Sequence, residues 1–164
     1  MRRTIVGVMG GCVATPETTR AARELGRLIA EHGWVLLNGG RSEGVMAAAT
    51  TGAHEAGGLT VGVLFDADPD AAAPGLDIVI PTGMGAARNV INVLASDAVV
   101  ACRGSGGTLS EIALALRFGR PVVLLDFDPG AAFLDAAGPG PWRLAATPAE
   151  AVAHVRVLLK ERGR

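Results

Sequence analysis

The stretch Asp97–Asp126, DAVVACRGSGGTLSEIALALRFGRPVVLLD, decides the fold. Ala98–Cys102 is an apolar run of strand length. It breaks into Gly104-Ser105-Gly106-Gly107-Thr108, continues as a helix pattern carrying Glu111, and returns to a second apolar run, Pro121–Leu125. A glycine turn between a strand's carboxyl end and a helix's amino end leaves backbone N–H groups free. There the helix dipole favours an anion by about 0.3–1 kcal/mol at a surface and up to ~2 when partly buried. The stretch therefore predicts a phosphate seat with one carboxylate a turn further along the helix.

Working outward, apolar runs alternate with helical patterns almost throughout. Expected strands are Thr4–Met9, Trp34–Leu37, Thr60–Phe65, Leu76–Ile80, the two above and a short Arg143–Ala145. Expected helices run from Pro16 to His32, Glu43 to Ala56, Gly85 to Ala95, Thr108 to Phe118 and Pro148 to Arg162. Thr15 suits an N-cap and Pro16 the first helical position. Phe127 to Pro141 reads as a long glycine- and proline-bearing loop with the character of a lid. Near-continuous Val/Ile/Leu strands are what a parallel sheet covered on both faces requires. The order predicts a doubly wound, Rossmann-like α/β fold, with residues 1–164 as one domain.

At 164 residues the chain is long enough to bury roughly two thirds of its unfolded surface. It is 49% hydrophobic and 19% charged, which excludes an intrinsically disordered chain. Fifteen basic against sixteen acidic residues give a formal charge of −1, unsuited to a protein that coats nucleic acid. Aromatics at 4%, without tyrosine, leave few platforms on which single-stranded bases could stack. The apolar run Ile5–Met9 is too short for a signal peptide's core, and no segment nears the ~20 apolar residues of a membrane span. A cytoplasmic protein is expected. Cys12 and Cys102 do not make a disulfide framework or a zinc site; both fall near strand ends on one edge, where a redox role is the alternative to the small buried thiols expected. His32, His54 and His154 lack metal-ligand spacing, so neither a metal nor a required cofactor is expected.

In a doubly wound sheet, ligands bind beyond the strands' carboxyl ends, at the switch in strand order. Gly10-Gly11, Gly39-Gly40 and Gly104 to Gly107 all fall at such ends. The spacing is not a dinucleotide fingerprint, Asn38 stands where an acidic residue would hold a ribose, and there is no Walker lysine. Hydride transfer and P-loop ATPase chemistry are disfavoured.

The motifs Arg103–Glu111 (RGSGGTLSE), Asn38–Met46 (NGGRSEGVM) and Gly83–Asn89 (GMGAARN) resemble the "lysine decarboxylase-like" Rossmann family. That family includes the cytokinin-activating nucleoside 5′-monophosphate phosphoribohydrolases, the LOG proteins. Its P-G-G-x-G-T-x-x-E signature matches at Gly104, Gly107, Thr108 and Glu111, while Arg103 replaces the proline and Ser105 a glycine. The GGRxxGVM form at Gly39–Met46 and the GTLSE ending at Gly107–Glu111 are similar to a short subgroup that includes the molybdenum-cofactor carrier proteins.

The resemblance implies catalytic roles for Arg88 and Glu111 in breaking an N-glycosidic bond, where a carboxylate stabilises charge on the sugar or activates water. The converging strand-end glycines predict a ligand site formed by Gly10, Gly11, Gly39, Gly40, Asn89, Gly104, Ser105, Gly106, Gly107 and Thr108, with Arg41 either contacting the anion or simply exposed. The ligand would be a phosphorylated nucleotide-like molecule. Two functions stay open: hydrolysis of a nucleoside 5′-monophosphate, or non-catalytic carriage of a nucleotide-like cofactor such as molybdenum cofactor. Asn89 and Asn92, three apart on one helix face, suit either a base or pterin edge or neighbouring loops. Helices with apolar residues on most faces (Val90, Ile91, Val93 and Leu94; Leu109, Ile112, Leu114, Leu116 and Phe118) predict a homodimer or higher oligomer.

Overall fold

Seven parallel strands in the order β4-β3-β2-β1-β5-β6-β7 form the central sheet of the computed structural model, which describes residues 2–163. The strands are β1 Ile5–Met9, β2 Val35–Asn38, β3 Thr60–Leu64, β4 Ile78–Pro81, β5 Ala98–Ala101, β6 Val122–Leu125 and β7 Trp142–Ala145. The helices are α1 Pro16–Glu31, α2 Gly44–Glu55, α3 Asn89–Ala95, α4 Gly106–Arg117, α5 Ala131–Ala137 and α6 Pro148–Glu161. This is the doubly wound α/β fold. The chain leaves β4 at one edge and re-enters at β5 beside β1, registering Val6 on Ala98 and Met9 on Ala101. The β1–β5 pair is therefore the switch point, where the strands' carboxyl ends open a crevice.

Alternation along each strand divides the core. Val6, Val8, Val100 and Val123 meet α1, α2 and α6 through Leu25, Ile29, Ala49, Val155 and Leu158. Val99, Val122 and Leu124 meet α3, α4 and α5 through Val93, Ile112, Leu116 and Leu134. The runs look continuous in sequence because both faces are covered. Thr15 caps α1 by accepting the Thr18 N–H, ahead of Pro16 at the first helical position. Thr147 and Pro148 start α6 in the same way, with the Glu150 N–H as donor.

Two expectations are corrected. Residues 127–141 are not a structureless lid: they contain α5, whose Leu134 is fully buried. Its amino end, Gly130, offers no side-chain cap, so packing against α4 and the sheet holds this short helix. Strand β4 is not covered on both faces, and its Ile78 and Ile80 remain exposed. The β3–β4 connection supplies only the 3₁₀ turn Pro69–Ala71, too small to shield an edge. Among the described residues, no helix is long and apolar enough to cross a membrane.

Candidate ligand site at the β1–β5 switch

The amino end of α4 begins with the cap residue Ser105 in extended conformation, and Ser105 makes no side-chain capping bond. The first-turn N–H groups of Gly106, Gly107 and Thr108 find no acceptor among the described residues. Side chains added at Gly106 or Gly107 would meet open space. An uncapped helix end facing open space is where an anion is favoured.

The loops from β1 and β2 close around this end. The Gly11 N–H bonds to the Arg103 carbonyl at 3.2 Å, and the Val45 N–H to the Gly11 carbonyl at 3.0 Å. Asn38, fully buried at the end of β2, organises the next turn. Its Oδ1 accepts from the Gly40 N–H at 2.8 Å, and its Nδ2 donates to the Met46 carbonyl and the Thr50 hydroxyl. The missing acidic residue at this strand end is thus replaced by a loop-holding amide. Two glycines leave room for functional side chains: a Cβ at Gly39 would collide with the Arg88 guanidinium, and one at Gly104 with the Thr108 hydroxyl.

The result is a cleft of about 140 Å³. From the strand ends it is lined by Gly10, Gly11 and Gly39, from α4 and its cap by Ser105, Gly107, Thr108 and Glu111, and from across the crevice by Arg88 and Asn89. Gly40, Arg41, Gly104 and Gly106 do not line it. Gly40 and Gly104 shape the turns behind, while Gly106 stands between the lining residues Ser105 and Gly107 with its N–H unpaired among the described residues and open space beside it. Arg41 points away, pairing with Asp66 at 3.1 Å and lying 4.7 Å over the Phe65 ring. Arg88 is on a 3₁₀ turn, Gly85–Arg88, rather than in the α-helix expected from Gly85 to Ala95. Asn89 donates to the Ser110 hydroxyl at 3.0 Å.

Sequence reasoning missed four contributors, Val8, Met9, Cys12 and Met46. Cys12 is exposed at the cleft's rim, not a buried thiol, and Met9 and Met46 form part of the wall. Cys12 follows the Gly10-Gly11 turn, and that position was the available signal. Cys102 is buried as expected, and burial, with Asp126 adding to it, pushes its thiol up to about 12.

Electrostatically the site is a buried acid facing a half-buried cation. Glu111 is 7% exposed, and its Oε1 accepts from Asn92 Nδ2 at 2.9 Å. Burial raises the Glu111 pKa, opposed by the Asn92 hydrogen bond and by Arg88. Burial lowers that of Arg88, opposed by Glu111. Arginine stays charged regardless, and the Arg88 Nε has no partner among the described residues. Arg88 can therefore present a fork to phosphate or sugar oxygens.

The raised Glu111 pKa has a stability consequence. The folded chain holds this proton more tightly than the unfolded chain, so the buried carboxyl costs stability as pH rises above the ordinary value of 4.5. Glu111→Gln removes that cost. Urea midpoints of the variant are expected to exceed wild type at pH 8, with the gap closing below about pH 4.5. Parallel curves across this range contradict the assignment.

The chain is similar to the molybdenum cofactor binding protein of the phototrophic bacterium Rippkaea orientalis, with 45% identity and TM-score 0.91 over 97% of this chain and 99% of that one. It is similar to the molybdenum cofactor carrier protein of Chlamydomonas reinhardtii at 45% identity and TM-score 0.88, with the same coverage. It is also 34% identical over 131 residues to the cytokinin riboside 5′-monophosphate phosphoribohydrolase of Mycobacterium tuberculosis, covering 70% of this chain and 67% of that protein. The SLOG cluster4 family model matches residues 3–152, from before β1 into α6. The chain belongs to the SLOG cluster4 family.

Proposed function

We propose that this protein binds a phosphorylated, nucleotide-like molecule at the β1–β5 switch and carries it unconverted, with molybdenum cofactor as the favoured ligand. The observation that carries the reading is the uncapped amino end of α4, opening onto a cleft with Arg88 opposite. Likeness to two molybdenum-cofactor proteins across nearly the whole chain favours carriage over hydrolysis. The N–H groups of Gly106, Gly107 and Thr108 hold the phosphate, Arg88 neutralises it, and Glu111 accepts from a ligand hydroxyl or ring N–H.

At about 140 Å³ the cleft is smaller than the roughly 300–1,000 Å³ usual for whole small-molecule ligands. It suits the phosphate and its adjoining group, with the remainder lying outside. A second copy of the chain over the α3–α4 face, where Leu94 and Phe118 are exposed, supplies further cover. Light scattering at micromolar concentration is expected to show a dimer or larger, and a monomer contradicts this part. The carrier works in the cytoplasm.

A second reading, hydrolysis of a nucleoside 5′-monophosphate, draws on Arg88 and Glu111 sharing one cleft and on the phosphoribohydrolase relative. Incubation with a panel of nucleoside 5′-monophosphates separates the two. Carriage predicts neither free base nor ribose 5-phosphate, together with retention of added molybdenum cofactor through gel filtration. Base release that Glu111→Gln abolishes would replace carriage by hydrolysis.

A further inference from the structure

We propose that Asn92 is the positioning residue of this site: its side-chain amide pins one Glu111 oxygen to the inner wall, leaving the other as a fixed acceptor facing the cleft. The ligand role assigned to that second oxygen rests on the binding reading above. The positioning itself rests on geometry.

Asn92 lies on α3 and is fully buried, and its Nδ2 stands 2.9 Å from Glu111 Oε1. It is itself held. The Ser96 hydroxyl, also fully buried, donates to the Asn92 carbonyl at 2.7 Å. That hydroxyl sits in the space a side chain at Gly7 of β1 would take. One turn earlier, Asn89 donates to Ser110, the neighbour of Glu111. Helix α3 thus meets α4 through two amides, one for each of two consecutive residues.

The remaining atom of the amide is the informative one. Asn92 Oδ1 is buried without a hydrogen-bond partner among the described residues. An unpaired buried acceptor is costly, and leucine, of similar size, would fill the space without that cost. The amide is therefore present for its N–H. A neutral amide also serves both protonation states of a carboxyl. Nδ2 donates to the ionised form, and after a half-turn of the amide Oδ1 accepts from the protonated form. An arginine or lysine here would serve only the first. Among the described residues, the other charged or titratable groups lining the cleft with Glu111 are Arg88, from the turn before α3, and Cys12, from the loop after β1. Arg41 and Asp66 do not line the cleft and act on Arg88 instead.

The test follows the Glu111 carboxyl by NMR in protein labelled with carboxyl-¹³C glutamate. Asn92→Leu removes the donor to the charged form and is expected to raise the Glu111 midpoint by about one pH unit. An unmoved midpoint overturns the proposal. Should that variant not fold, the wild-type protein decides: the Asn92 side-chain NH₂ signals must shift with the same midpoint as Glu111, and their independence overturns the proposal. A binding arm uses inorganic phosphate and 5′-AMP as probes. Asn92→Leu is expected to weaken 5′-AMP at least about tenfold while leaving phosphate unchanged. A merely structural role would weaken both together and overturns the proposal. If neither probe binds wild type, the binding reading fails and the carboxyl titration still decides whether Asn92 positions Glu111.

Discussion

Gly26→Ala is expected to destabilise the fold by about 3 kcal/mol, the upper part of the range for overpacking a close-fitted interior. Helix propensity alone says the opposite, since alanine is a better helix former than glycine by about 1 kcal/mol. The geometry reverses the sign. Helices α1 and α2 cross so closely that a Cβ at Gly26 would fall on the Ala49 carbonyl, and one at Gly52 on the Arg23 carbonyl. These neighbours are backbone of a packed helix and cannot turn aside as a side-chain tip can. Gly107→Ala provides the contrast, because that position is helical and opens to free space. It is expected to hold or raise stability. Urea unfolding of the two variants beside wild type checks both signs, and a Gly26→Ala midpoint at or above wild type contradicts the close crossing.

Gly107→Asp is expected to separate folding from binding. A carboxylate in the first turn of α4 interacts favourably with the helix dipole, so the fold should keep its stability or gain about 0.3–1 kcal/mol. The same carboxylate occupies the proposed phosphate seat. Two like charges about 4 Å apart repel by roughly 4 kcal/mol at the effective dielectric of a protein surface, enough for at least a hundredfold loss of affinity. Thermal unfolding and calorimetric titration with 5′-AMP report the two quantities independently. Unchanged affinity at unchanged stability would remove the anion from the end of α4.

What was legible in the sequence followed from backbone physics. Apolar runs punctuated by glycine gave the parallel sheet, because a strand buried on both faces has no polar positions to interrupt it. Val99 and Val100 belong to opposite cores yet read as one run. Glycine pairs at strand ends gave the common rim, since parallel pairing places every carboxyl end on one side.

What escaped depended on long-range packing. Helix α5 (AAFLDAA) has no capping residue and is bounded by Gly130 and Gly138, so only the burial of Leu134 reveals it. The exposure of β4 depends on which strand lies at the edge, which spacing does not state. Arg41 sits in a glycine motif but is drawn to Asp66 and Phe65, partners 25 and 24 positions ahead. The pairing of Asn92 with Glu111 required α3 and α4 to be docked.

The central claim is that the free N–H groups at the start of α4 hold the ligand's phosphate. It is tested most directly by ¹⁵N–¹H NMR titration of the wild-type protein with inorganic phosphate and then 5′-AMP. The account predicts saturable shifts led by the amides of Gly106, Gly107 and Thr108 with both probes, and added shifts toward Glu111 with 5′-AMP alone. Saturable shifts centred elsewhere, with those three amides unmoved, would contradict it.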